Sequence, residues 1–133
     1  MNYYISDEKD KLQINRVVGL LNSTYWAASR SKHAIEESIK NSICYGVYDK
    51  DTNILIGFAR VITDYATTYY LCDVIVDENY RRKGIGKALI KKISEDSRYT
   101  GMVGMLLTKD AHDLYKQYGF KEETNRFMIK IKQ

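Results

Sequence analysis

The feature that most restricts how this chain can fold is the run Tyr80-Arg81-Arg82-Lys83-Gly84-Ile85-Gly86-Lys87-Ala88, which joins a strand-like segment to a helix-like one. Upstream, Tyr69 to Val76 reads Tyr-Tyr-Leu-Cys-Asp-Val-Ile-Val, rich in β-branched and aromatic residues. Downstream, Ile85, Ala88, Leu89 and Ile93 recur at helical spacing. The glycines therefore sit at a strand-to-helix junction. There the first backbone N–H groups of a helix lack intrahelical partners and the macrodipole favours an anion. Gly84 and Gly86 carry no Cβ, so a phosphate can come close to the backbone, and Arg81, Arg82, Lys83 and Lys87 add positive charge.

Other phosphate loops fit less well. A Walker loop needs Ser or Thr after Gly-Lys, and Ala88 follows Lys87 here. A dinucleotide fingerprint needs one more glycine. A helix start with a solvated basic face and no ligand is the remaining bland reading.

The chain has 133 residues, which suits one domain over 1–133. Its composition, 44% hydrophobic and 29% charged with no proline, is that of a globular protein whose elements run without proline kinks. No apolar run approaches the roughly 20 residues that span a bilayer, and the N-terminal residues lack a secretion signal, so the expectation is a cytoplasmic protein without a membrane partner. Cys44 and Cys72 lie in apolar strand-like contexts without metal-ligand spacing, which favours two buried free thiols over a disulfide or a metal site. The net charge of +4 is concentrated in the 81–92 segment and the C-terminal tail. A local anionic ligand accounts for it as well as nucleic acid does, and aromatic residues do not interleave with the basic cluster as a stacking surface requires.

Along the chain, Asn2 to Ile5 reads as a short strand. A first helix starts near Ser6 or Asp7 and carries Leu12, Ile14, Val17, Val18 and Leu21, and a second opens at Ser31. Ile43–Tyr48, Ile54–Thr63 and Tyr69–Val76 form a three-strand meander. Met102–Leu107 is a further strand, Ala111–Tyr118 a short helix stopped by Gly119, and Phe127–Ile131 a final strand. The helix between Val76 and Met102 implies a crossover and one parallel pair. The expected fold is α+β, with a mixed, mostly antiparallel central sheet of about six to seven strands and helices on both faces.

Arg81, Gly84 and Gly86 match the central motif of the GCN5-related N-acetyltransferase (GNAT) superfamily: Gln or Arg, two residues, Gly, one residue, then Gly or Ala. Leu114-Tyr115 followed by Gly119-Phe120 resembles that family's later motif, and the order of elements is similar along essentially the whole chain. The resemblance implies the acyl-CoA N-acyltransferase fold, acetyl-CoA as cosubstrate with no metal, and transfer of an acetyl group to a primary amine. It places the pyrophosphate on the turn and helix start, Arg81, Arg82, Lys83, Gly84, Ile85, Gly86, Lys87 and Ala88, and the pantetheine arm along Val74, Ile75 and Val76. Tyr115 matches the tyrosine that protonates the leaving sulfur. Many members carry an asparagine after the fifth strand, where this chain has Thr108-Lys109-Asp110. The family also makes a homodimer an open expectation.

The base that deprotonates the amine is less defined. Asp73 is the favoured candidate because it interrupts an apolar strand beside the presumed acetyl position, with Asp64 and Glu78 behind it. A carboxylate satisfied by its neighbours is an equal reading of Asp73. Tyr25, Trp26, Arg30, Tyr65 and Tyr69 are candidates to line the acceptor pocket. The competing function is a catalytically silent acyl-CoA-binding regulatory module.

Overall fold

The computed structural model describes residues 2–131. Five strands form one sheet in sequence order: β1 (Tyr3–Ser6), β2 (Ile43–Asp49), β3 (Leu55–Thr63), β4 (Thr68–Val76) and β5 (Val103–Leu106). β1 to β4 are antiparallel neighbours, and β5 joins β4 in parallel after a helical crossover. The helices are α1 (Ile14–Asn22), α2 (Lys32–Lys40), α3 (Ile85–Ser94) and α4 (His112–Lys116).

The apolar periodicities explain the layering. α1 buries Val17, Leu20 and Leu21, and α2 buries Ile35, against Cys44, Tyr48, Phe58 and Ile75 on one sheet face. α3 buries Ile85, Leu89, Ile90 and Ile93 against Tyr45, Val47, Ala59, Val61 and Leu71 on the other, where Tyr115 of α4 also packs. β2 is buried along its whole length because both faces are covered. Helices on both faces of a mixed sheet are the expected α+β arrangement.

Local signals set several boundaries. Ser31 is the N-cap of α2, its Oγ accepting from the Ala34 N–H at 3.1 Å. Gly119 follows α4 with φ 91°. The start of the first helix differs from expectation. α1 begins at Ile14, because a 3-10 turn at Lys9–Lys11 intervenes and the Gln13 side chain ties the helix start to the Asn53 carbonyl and the Leu55 N–H.

Among the described residues the sheet has five strands where six to seven were expected, and Phe127–Ile131 is not a strand. The alternation of Phe127, Ile129 and Ile131 suits a strand, but a strand exists only with a ladder partner, and these residues are exposed.

Cys44 is buried and Cys72 only half-buried, a departure from two buried thiols, and both are free. They lie opposite Arg60 on either side of β3. Two strand spacings, ~10 Å, separate their backbones, beyond disulfide reach.

Candidate active site

The pairing of β4 with β5 runs from Thr68–Val103 to Leu71–Leu106 and stops there, while β4 continues to Val76. Past Leu71 the β5-side edge of β4 is open. The register with β3 shifts at the same place: Cys72 faces Arg60 and Ile75 faces Phe58, so Asp73 and Val74 together oppose Ala59. This is a β-bulge, and Asp73 takes the positive φ, 55°. Beyond it, Val74 and Val76 pack toward α3 and Ile75 toward α1.

β4 leads through Asp77 into the glycine turn. Arg16 of α1 donates Nη2 to Asp77 Oδ2 at 2.8 Å and Nε to the Leu55 carbonyl at 2.9 Å, which pins the strand end to α1. Arg81 Nε donates to the Val76 carbonyl at 3.0 Å. Arg82 (φ 63°) and Gly84 (φ 77°) are both left-handed, reversing the chain into α3.

Gly84 is the N-cap and has no side chain to cap the helix. The first bond from within the turn of α3 is Ala88 N–H to the Gly84 carbonyl at 3.0 Å, so the N–H groups of Ile85, Gly86 and Lys87 have no intrahelical acceptor. A Cβ at Gly84 would meet nothing within 4 Å, and one at Gly86 only Val76 Cγ2 at 3.9 Å. The space before the helix start is open. Arg81, Arg82, Lys83 and Lys87 are exposed around it, whereas Ile85 is buried and Ala88 half-buried.

Tyr115 is 9% exposed, edge-on to Phe120 with ring centroids 6.0 Å apart. Burial, with the charge of Asp110 second, pushes its phenol up to about 12. It lines a cavity of 810 Å³ with Tyr70, Leu106, Thr108 and His112, closed on the other side by residues of the C-terminal segment.

Asp73 is 5% exposed and fully engaged. Its Oδ2 accepts from Arg30 Nη1 at 2.7 Å and Arg60 Nε at 2.9 Å, and its Oδ1 from Trp26 Nε1 at 3.2 Å. Arg60 Nη1 also reaches Ser42 Oγ at 3.0 Å. The loop between α1 and α2 thus closes over the bulge, and Tyr25 of that loop lies under Lys109 Nζ, 5.2 Å from its ring centroid. The loop bridges the gap between β4 and the segment after β5.

Of the expected acceptor residues, Tyr25, Trp26 and Arg30 are brought together at this gap. Tyr65 and Tyr69 are not: Tyr65 sits exposed in the β3–β4 turn, and Tyr69 stacks on Tyr99 at 4.8 Å, filling the space that Gly104 leaves. Asp64 binds the N–H groups of Ala66, Thr67 and Thr68 and the Thr67 hydroxyl, hydrogen bonds that hold its carboxyl well below the usual range and commit it to the turn. Arg60 is the site residue that sequence reasoning missed. Its signal was a lone charge in the otherwise apolar run Leu55 to Ile62, which demands a buried partner.

Comparison with known proteins agrees with the fold. Residues 40–122 match the acetyltransferase (GNAT) domain family. A crystal structure of a GNAT-family protein from Xanthomonas campestris pv. campestris superposes with a TM-score of 0.92 at 31% identity, over 98% of this chain and 94% of that one. An acetyltransferase candidate of Gibberella zeae is 25% identical over 91% of this chain and 80% of its own length. The histone acetyltransferase TAP1 of Glycine max is 29% identical over 83% of this chain, which spans 45% of that protein. A helix start with open N–H groups, the strand edge beside it and these matches lead to one assignment: the chain belongs to the GNAT family and is an acetyltransferase.

Proposed function

We propose that the protein transfers an acetyl group from acetyl-CoA to a primary amine by direct attack on the thioester. One observation carries this reading: the open N-terminus of α3 lies directly beyond the β4 edge that β5 leaves unpaired. A ligand with a pyrophosphate and a long amide-bearing arm suits both features. The N–H groups of Ile85, Gly86 and Lys87 would bind the pyrophosphate, with Arg81, Arg82 and Lys83 neutralising its charge. The amides of the arm would pair with Val74, Ile75 and Val76 in the manner of an added strand.

In this reading the amine nitrogen attacks the thioester carbon and the carbonyl becomes an oxyanion, which the Val74 N–H stabilises. The nitrogen passes its extra proton to water, the carbonyl re-forms as the C–S bond breaks, and the thiolate takes a proton. Tyr115 donates a hydrogen bond to that thiolate, because a phenol raised to about 12 stays protonated at neutral pH. It holds its proton more tightly than a thiol at about 8.5 does, so the proton itself comes from water. Asp73 has both oxygens occupied, so we assign it to positioning Arg30, Arg60 and Trp26, and the amine reaches the site already neutral.

The occupied state of Asp73 also favours the second reading, a silent acyl-CoA-binding module. Calorimetry with acetyl-CoA, paired with a CoA-release assay on an amine panel, separates the two. Binding with turnover supports the enzyme, and binding without turnover for any amine supports the module.

A further inference from the structure

The cluster on the β4 bulge has an imbalance of charge. Two guanidinium groups, Arg30 and Arg60, meet one carboxylate, Asp73, so the cluster is one positive charge in excess. The other groups facing it do not supply the missing negative charge. Burial pushes the thiols of Cys44 and Cys72 up to about 11 and raises the phenol of Tyr70, so all three are neutral near pH 7. The hydrogen-bonded neighbours, Trp26 and Ser42, are uncharged, and beyond them the cation of Lys109 is followed in sequence by the carboxylate of Asp110, which leaves the rim balanced.

The excess is concentrated on the part that solvent reaches. The side chain of Arg30 is 27% exposed, that of Arg60 11% and that of Asp73 2%. A guanidinium has five N–H donors, and Arg30 spends one of them on Asp73. Asp73 is buried with three donors on its carboxylate, so the cluster turns donors rather than a carboxylate toward solvent. A partly buried cation with spare donors is stabilised by an anion that takes them in pairs. Its position on the β4 bulge, where it shares Asp73 with Trp26 beside the unpaired β4 edge, is where an acceptor would approach the thioester.

We propose that the acceptor is an amine carrying its own carboxylate or phosphate near the reacting nitrogen, and that Arg30 binds this anion from the Asp73 clamp. The inference rests on the acetylation reading for the identity of the site. It argues against polyamines and other polycationic acceptors, which the excess charge repels.

The test uses matched pairs: L-phenylalanine with phenethylamine, and glucosamine 6-phosphate with glucosamine, with spermidine as a polycation. In the CoA-release assay, kcat/KM for the anionic member of at least one pair is expected to exceed that of its partner by roughly tenfold or more, the worth of one charge-assisted hydrogen bond. The pair that shows the effect distinguishes carboxylate from phosphate. Arg30→Met should erase the difference through KM, and Arg30→Lys should restore part of it. For pairs that are not turned over, the same ligands are titrated by calorimetry into free and CoA-saturated protein, where the same preference is expected. Equal binding within both pairs, a preference for spermidine, or a preference that survives Arg30→Met overturns the proposal. Failure of acetyl-CoA itself to bind refutes the acetylation reading instead, while the titration of free protein still reads the anion preference.

Discussion

Gly84 and Tyr115 are the two residues whose local geometry makes the sharpest predictions. At φ 77° a side chain strains the backbone, so Gly84→Ala should cost about 1 kcal/mol in urea unfolding. In Gly84→Val the branched side chain also occupies the open space before α3, and calorimetry should detect no acetyl-CoA binding. Tyr115→Phe should lower kcat with little change in acetyl-CoA affinity, and unchanged turnover would remove Tyr115 from the mechanism.

Protonation belongs to the same scale. Burial pushes Tyr48, Tyr99 and Tyr115 up to about 12, and burial with a hydrogen bond to Asp96 raises Tyr45 further. These neutral phenols stabilise the fold below their unfolded pKa, and that contribution is lost as pH rises from about 10 through the folded values. On the acid side, the hydrogen bond from Arg98 is the main cause that holds Asp96 well below the usual carboxylate range. Its contribution is present above about pH 4 and is lost as the carboxylate is protonated at lower pH. Thermal melts across pH should therefore show a neutral plateau that falls off on both sides. A melting temperature still rising at pH 11 would contradict the tyrosine assignment.

At the scale of elements, β4 is where sequence and structure part. Its strand character, its end at Val76 and the turn into α3 were all legible, because a run of β-branched and aromatic residues and paired glycines are local signals. The bulge was not legible. It depends on two residues, Asp73 and Val74, sharing one partner on β3, and only the paired strand reveals that. Nor did the sequence choose between Asp73 as a base and Asp73 as a satisfied carboxylate; its donors decide for the clamp in our reading. Asp73→Ala leaves Arg30 and Arg60 without their counter-ion and should cost roughly 3–5 kcal/mol in denaturant unfolding, whereas Ser31→Ala at the α2 cap should cost only about 1 kcal/mol. Equal losses for the two would mean that the clamp carries no more than an ordinary hydrogen bond.

At the scale of the whole molecule, seven of the twelve large apolar residues exposed among the described residues belong to the β5 region and the C-terminal segment. Val103, Met105 and Leu107 lie along β5 and the residue after it, and Phe127, Met128, Ile129 and Ile131 lie in the C-terminal segment, with Met128 93% exposed. An unpaired apolar edge strand is a template for association, and the alternating pattern of Phe127, Ile129 and Ile131 suits pairing with it. The expected outcome is a homodimer in which the C-terminal segment of one copy covers β5 of the other. Light scattering should show that Met105→Lys with Ile129→Lys shifts the protein toward monomer, and a monomeric wild type at tens of micromolar would rule out this arrangement. No helix of the described residues is long and apolar enough to cross a membrane.

The sequence by itself determined what depends on neighbours along the chain: the meander, the amphipathic helices, the cap at Ser31 and the glycine turn that opens α3. Tertiary structure alone decided what depends on distance through space. The donors to Asp73 lie 47, 43 and 13 positions away in sequence, and the open edge of β4 exists because β5 stops pairing at Leu106. Strand and helix periods are properties of consecutive residues. Ion pairs and ladder ends arise only when distant segments meet, and the site is built from those meetings.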